Sequence, residues 1–317
     1  MKILLATDGS EYSNGAAKFL TNLNFSPDDE ITVLHVISDV PFKEDVESYY
    51  SSLKQIKKEI APKIIESTLR LLKPVNAKSS PMAIDGYPDQ GIIDVAEDLN
   101  VDMIVMGARG LKGIKALLIG SVTRSVAINS SKPVLIIKPP QWDVSDNLKI
   151  LFATDGSDYA RDMGRFLAFI PFHDNTEITV LNVIHPGLDI PERFHLEIDD
   201  RIKEIAASIK SMAFKESEKI IQQAHEFLGS RFAKIHCLTK DGDPTIEILN
   251  TAKMQKTDII AVGSRGIRGV KGMLGSVSRY ILSHSECSVL IGKTSLASFR
   301  GFLRGMDTRK IREEKDR

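Results

Sequence analysis

The chain has 317 residues, and its 42 Lys plus Arg are matched by 42 Asp plus Glu, a formal net charge of zero. Nothing in that balance suggests the basic stripe of a nucleic-acid-binding protein, so no nucleic-acid partner is expected. Hydrophobic residues at 42% and charged residues at 26% are the proportions of a globular protein with a sizeable core. Cys237 and Cys287 are too few for a disulfide framework and lack metal-ligand spacing, so both read as buried, inert free thiols in a reducing compartment.

The start, MKILLATDGS, turns polar after a few apolar residues. That run is too short for a signal peptide or a transmembrane segment, and the protein is read as cytoplasmic. Ile3 to Thr7 and Ile31 to Ile37 are short β-branched runs, expected as strands buried on both faces of a parallel sheet. Ser13 to Leu23 has helical spacing between them. A long helix is expected over roughly Glu47 to Leu72, where Leu53, Ile56, Ile60, Ile64, Ile65, Leu69 and Leu72 recur at three- and four-residue steps. Then come a short strand near Pro81 to Ile84, a helix near Ile92 to Leu99, a strand over Met103 to Met106, a glycine-rich loop, a helix from about Ser121 and a strand over Val134 to Ile137. Alternation of this kind implies an open doubly wound α/β sheet of five strands.

The chain then repeats itself. Lys149 to Ser157 reads KILFATDGS, where Lys2 to Ser10 reads KILLATDGS, 147 positions earlier. Strands are expected again at Ile150 to Thr154, Ile178 to Ile184, Ile235 to Leu238, Ile259 to Val262 and Val289 to Ile291. The offset between copies grows to 156 at Gly86 and Gly242 and falls to 155 after the glycine loop. The second copy has therefore gained nine residues in its long helical stretch around Leu196 to Phe227 and lost one inside the loop. Domains are expected over 1–140 and 149–294, with a linker at 141–148, opened by Pro139 and Pro140, and a tail at 295–317. In the tail, Phe299, Phe302, Leu303 and Met306 lie at helical spacing, but Gly301 and Gly305 weaken any helix there.

In a doubly wound sheet the ligand site lies beyond the carboxyl ends of the strands, where connections diverge to opposite faces. The turn after the first strand supplies Asp8, whose carboxylate can accept from a ribose or base or help hold a cation. Gly107 and Gly110 follow the fourth strand, and Gly120 and Ser121 open the next helix, whose N-terminus favours phosphate. The same glycines also suit plain turns, and Arg109, Lys112 and Lys115 also suit solvent. Neither the G-x-x-x-x-G-K-[ST] loop nor the G-x-G-x-x-G fingerprint occurs. His35 and the equivalent Asn182 are read as core-facing groups satisfied by backbone, rather than as adenine contacts.

A strand ending in ATDGS, joined to a G-x-x-G, nine residues, G-S loop, resembles the universal stress protein family in its ATP-binding branch, and does so twice, to about Thr294. The resemblance implies two Rossmann-like five-stranded, mainly parallel sheets in a pseudo-two-fold arrangement. It implies that ATP, or ADP or AMP, with Mg2+, is held by Gly107, Gly110, Gly120 and Ser121 at the phosphates, by Asp8 at the nucleoside and by Val36 at adenine. Met106, Arg109, Val122 and Thr123 complete the lining. Asp155, Val183, Gly263, Gly266, Gly275 and Ser276 are the counterparts in the second copy.

The resemblance also implies a stress-response sensor or regulator, with an internal pseudo-dimer through the fifth strand of each half, an unidentified protein partner and a further homodimer. The alternatives are an interaction module that binds no nucleotide and, with weaker support, a slow ATPase or phosphotransfer enzyme. The first loop has the family's nine residues, Leu111 to Ile119, and the second has eight, Ile267 to Leu274. One extended residue spans roughly 3.3–3.6 Å, comparable to a hydrogen bond. The deletion either misplaces the donors around Gly275 and Ser276 or is absorbed at Gly269 or Gly272.

Overall fold

A computed structural model describes residues 1–38, 47–110, 119–138, 147–185, 200–266 and 274–293. Strand β1 (Lys2–Ala6) runs into the ATDGS turn, and helix α1 (Glu11–Leu20) begins at once because Ser10 is its N-cap, accepting from the Ser13 amide at 3.3 Å. The helix therefore starts two residues earlier than its apolar spacing suggests. There follow β2 (Glu30–Ser38), α2 (Glu47–Leu71), β3 (Lys78–Gly86), α3 (Pro88–Asp98), β4 (Met103–Gly107), α4 (Ser121–Asn129) and β5 (Val134–Ile137). The second half repeats the order with β6 (Lys149–Ala153), α5 (Asp158–Phe169), β7 (Glu177–Ile184), α6 (Asp200–Leu228), β8 (Lys234–Asp241), α7 (Pro244–Gln255), β9 (Ile259–Gly263), α8 (Ser276–His284) and β10 (Ser288–Gly292). Part of the nine-residue gain lies in α6, 29 residues against 25 in α2.

The strands form one ten-stranded sheet in the order β3-β2-β1-β4-β5-β10-β9-β6-β7-β8. Pairing within each half is parallel. The halves meet at β5 and β10, which pair antiparallel with Leu135 opposite Leu290. Those two leucines are equivalent in the repeat, so the pairing is two-fold symmetric about them. Each half alone would present this apolar strand as an open edge, and their pairing removes it. The outer edges are β3 and β8, and Pro81, which has no N–H to donate, lies in β3, where a central strand would reject it.

Two apolar layers cover the sheet. Helices α1, α2, α5 and α6 bury Phe19, Leu20, Ile65, Phe166, Leu167 and Leu228 against one face, and α3, α4, α7 and α8 bury Ile92, Val126, Ile248 and Ile281 against the other. Both layers run across the β5–β10 seam. Sequence periodicity reads the strands as near-continuous apolar runs for this reason: β4, β5, β9 and β10 are buried at every residue.

The cysteines separate. Cys287 is buried just before β10, and loss of hydration pushes its thiol up to about 12. Cys237 is exposed within the edge strand β8, so the expectation that both thiols are buried is corrected. An edge strand has a neighbour on one side only. The interiors of both glycine loops, with Lys112, Lys115, Gly269 and Gly272, lie outside the described residues, as do Pro139, Pro140 and the tail from 294.

Candidate functional site

Strand order 3-2-1-4-5 makes the gap between β1 and β4 the point at which connections leave in opposite directions, and the gap between β6 and β9 is its counterpart. The ATDGS turn and the start of the glycine loop meet there. Within the turn each residue has a local task. Asp8 Oδ1 accepts from the Ser10 amide at 3.0 Å, and Asp155 Oδ1 accepts from the Ser157 amide at 3.1 Å. Gly9 and Gly156 hold φ of +77° and +76°, a conformation that suits glycine. Ser10 and Ser157 then cap α1 and α5. The repeated pentapeptide is thus a complete strand-to-helix corner before any ligand is considered.

The glycines that end β4 and β9 answer to the protein's own packing. A Cβ on Gly107 would lie 2.5 Å from the Tyr12 carbonyl carbon, and one on Gly263 would lie 3.0 Å from that of Tyr159. These residues let α1 and α5 lie directly on the strand ends. A Cβ on Gly110 would meet Asp8 Oδ2, and one on Gly266 would meet Asp155 Oδ2. The carboxylate of the corner and the backbone of the loop are therefore held against each other.

Arg109 and Arg265 lie between those glycines. Arg109 Nη1 donates to Tyr12 Oη at 3.4 Å with its guanidinium 5.6 Å from the Tyr12 ring centre. Arg265 donates to Tyr159 Oη and lies 5.0 Å from that ring. Neither tyrosine belongs to the expected site, yet both copies read ATDGS-x-Y, so the signal was present in the repeat.

The far side of each loop returns to the same anchor. Gly120 N donates to Ala108 O at 2.9 Å, and Gly275 N to Ser264 O at 2.8 Å. The N-cap angles of α4 and α8 agree as well, φ −62° and ψ 152° at Gly120 against −60° and 158° at Gly275. The missing residue does not displace the start of α8. Of the two outcomes expected for the deletion, misplacement of Gly275 and Ser276 is overturned, because both loop ends are fixed by the same backbone hydrogen bond.

Ser121 and Ser276 are exposed at the helix starts, while Val122 and Val277 pack partly into the core. Thr123 is buried and donates to Gly107 O at 2.9 Å, and Ser278 donates to Gly263 O at 2.6 Å. That hydroxyl ties the helix to the strand end. Met106 is likewise a core residue. Val36 and Val183 are half-buried at the ends of β2 and β7. His35 Nδ1 lies 2.8 Å from Thr7 O, and Asn182 Nδ2 donates to Thr154 O at 2.7 Å. A carbonyl only accepts, so His35 carries its proton on Nδ1 and holds the corner to the second strand.

In the second half the arrangement forms a half-open cleft of about 420 Å³. Asp155, Val183, Gly263, Gly266, Gly275 and Ser276 all line it. Leu181, Pro244 and Ile248 supply an apolar wall and Arg265 a cation. Volume and composition are those of a small-ligand site, apolar along one side with a few polar groups converging on the other. Among the described residues no group of His, Cys, Asp and Glu is arranged to hold a metal ion.

The universal stress protein family model matches residues 1–138 and again 147–293. The chain belongs to the universal stress protein family. A universal stress protein of Methanocaldococcus jannaschii is 33% identical over 152 residues, covering 43% of this chain and 94% of the relative. One from Mycolicibacterium smegmatis is 23% identical over 297 residues, 91% of this chain and 96% of its own, so the doubled universal stress protein arrangement has a full-length counterpart. The crystal structure of a universal stress protein from Archaeoglobus fulgidus superposes with a TM-score of 0.62 at 24% identity, covering 93% of this chain and 97% of that one, and shares the fold. Among the described residues no helix is long and apolar enough to cross a membrane.

Proposed function

We propose that this universal stress protein binds an adenine nucleotide, ATP or the related ADP or AMP, in each half and acts as a sensor or regulator in the cytoplasm. The observation that carries the reading is the second-half cleft. An apolar wall suited to a base faces a carboxylate suited to a ribose, and the N-terminus of α8 with Ser276 offers unpaired N–H groups suited to phosphate. The matching geometry of the first-half loop ends extends the reading to Gly107, Gly110, Gly120 and Ser121. The half-buried carboxylates of Asp8 and Asp155 lie on the loop side of each corner, within the site that would take a Mg2+ carried in on the phosphates. Free cysteines suit a reducing compartment. The antiparallel β5–β10 seam supports reading the chain as an internal pseudo-dimer, with a protein partner that senses the occupied state.

Calorimetric titration with Mg-ATP tests the binding. Two equivalents per chain are expected, together with thermal stabilisation. No heat and no stabilisation at millimolar nucleotide would leave the interaction-module reading in its place. Native mass spectrometry of the purified chain counts the bound molecules independently.

A further inference from the structure

Two lysines cross the seam between the halves. Lys138, immediately after β5, sends Nζ to Leu282 O at 3.1 Å, Ser285 O at 2.7 Å and Ser285 Oγ at 3.1 Å, at the C-terminal end of α8 in the opposite half. Its amide also donates to Ser288 Oγ at 3.1 Å. Lys293, its equivalent after β10, sends Nζ to Ile128 O at 3.1 Å, at the C-terminal end of α4 in the first half. A cation among the last carbonyls of a helix satisfies groups that have no partner within the helix and complements its dipole. Burial of an ammonium is otherwise unfavourable, so the acceptors fix where it must lie.

The helices so held carry the candidate sites at their other ends. Helix α8 has nine residues, a rod about 13 Å long, with Gly275 and Ser276 at its start. Helix α4 starts at Gly120 and Ser121 in the same way. A short rigid helix cannot shift at one end without shifting at the other. The lysines also lie within electrostatic reach of the site cations, Lys138 of Arg109 and Lys293 of Arg265.

We infer that Lys138 and Lys293 are positioning residues that act across the seam: Lys138 sets the N-terminus of α8 for the second-half site, and Lys293 sets that of α4 for the first. The nucleotide part of this inference rests on the function proposed above; the mechanical part does not. Because Lys138 has three acceptors among the described residues and Lys293 one, the second site depends more strongly on its opposite lysine.

The test is a crossed one on the full chain. The Arg279 amide donates to Gly275 O and the Arg124 amide to Gly120 O, both at 2.9 Å, so their hydrogen exchange reports the start of α8 and of α4. Lys138→Met is expected to speed exchange at Arg279 about 5-fold or more and to leave Arg124 within about 2-fold, and Lys293→Met to do the reverse with a smaller effect. In an Asp8→Asn background, where the second site is left, Lys138→Met weakens Mg-ATP binding about 5-fold or more, and in an Asp155→Asn background it leaves the remaining site within about 2-fold.

Equal changes at both helices, changes confined to the lysine's own half, or none would overturn the inference. If the wild-type chain binds no adenine nucleotide, the proposed function fails, and the exchange rates still decide the positioning role. Lys138→Arg, which keeps a cation on the same carbonyls, distinguishes loss of the anchor from loss of packing by restoring slow exchange at Arg279.

Discussion

The first and second glycine loops differ by one residue in length but leave the sheet and rejoin their helices in the same way. Both are closed by an amide of the helix-capping glycine on the carbonyl of the first residue past the strand, at 2.9 Å and 2.8 Å. Both are pressed against an aspartate of the corner. A count of residues between glycines therefore overstates the difference, because the ends of a loop are fixed by the framework and its interior absorbs the change. What differs is the tightness of the contacts. The first half presses harder at Gly107, and the second holds its helix more firmly across the seam through Lys138.

The largest test of that comparison is Gly107→Ala against Gly263→Ala. The first places a methyl 2.5 Å from backbone that has nowhere to move, the second 3.0 Å. Urea unfolding should register a loss of about 3 kcal/mol for Gly107→Ala and about 1 kcal/mol for Gly263→Ala. Equal losses would mean that the halves are packed alike.

Second in size is a pH effect on the seam. Burial lowers Lys138 and Lys293 from 10.5 to about 8 each, with Arg109 and Arg265 adding to the shift; for Lys138 the neighbouring Cys287 opposes it. Their folded pKa lies below the unfolded one, so above about pH 8 the unfolded chain binds more protons and stability rises with pH toward 10.5, while the burial cost is fully present below 8. The Cys287 thiol acts oppositely above its ordinary 9.0, so the window to read is pH 8 to 9. Wild type should gain on the order of 1 kcal/mol there relative to Lys138→Met/Lys293→Met. A flat difference in urea unfolding across that window would contradict the buried charges.

Next come the tethers from helix to strand end. Thr123→Val leaves Gly107 O without its 2.9 Å donor and Ser278→Ala removes the equivalent one, each costing about 1 kcal/mol in chemical denaturation. The smallest effect is expected at the tyrosines. Tyr12→Phe and Tyr159→Phe remove a hydrogen bond to the site arginine but keep the ring beneath it, so nucleotide affinity should fall about 2-fold in calorimetry, more at Tyr159, whose contact is closer. A 10-fold loss at either would mark the hydroxyl itself as a ligand contact.

Most of the architecture was legible in the chain. β-branched runs alternating with helical periodicity give a doubly wound sheet because strands covered on both faces must be apolar at every position, and the repeat of KILLATDGS doubles it. The glycine positions were legible too, but their reason was not. Gly107 is small because a helix lies on it, and Gly110 because a carboxylate does, both contacts between segments about a hundred residues apart. The resemblance implies Thr123 as part of the lining, and only the fold points its hydroxyl at Gly107 O.

By itself, then, the sequence determined the two-copy doubly wound sheet, the corner built by Asp8, Gly9 and Ser10, and the residues that gather at each switch point, since these follow from periodicity and local hydrogen bonding. Tertiary structure alone decided that the shortened loop keeps its ends in place, that Cys237 is exposed while Cys287 is buried, and that Lys138 and Lys293 hold helices of the opposite half. The physical reason is common to all three. Each depends on which distant backbone groups are within hydrogen-bond reach or cover a side chain, and no spacing along one strand encodes what the neighbouring half brings to it.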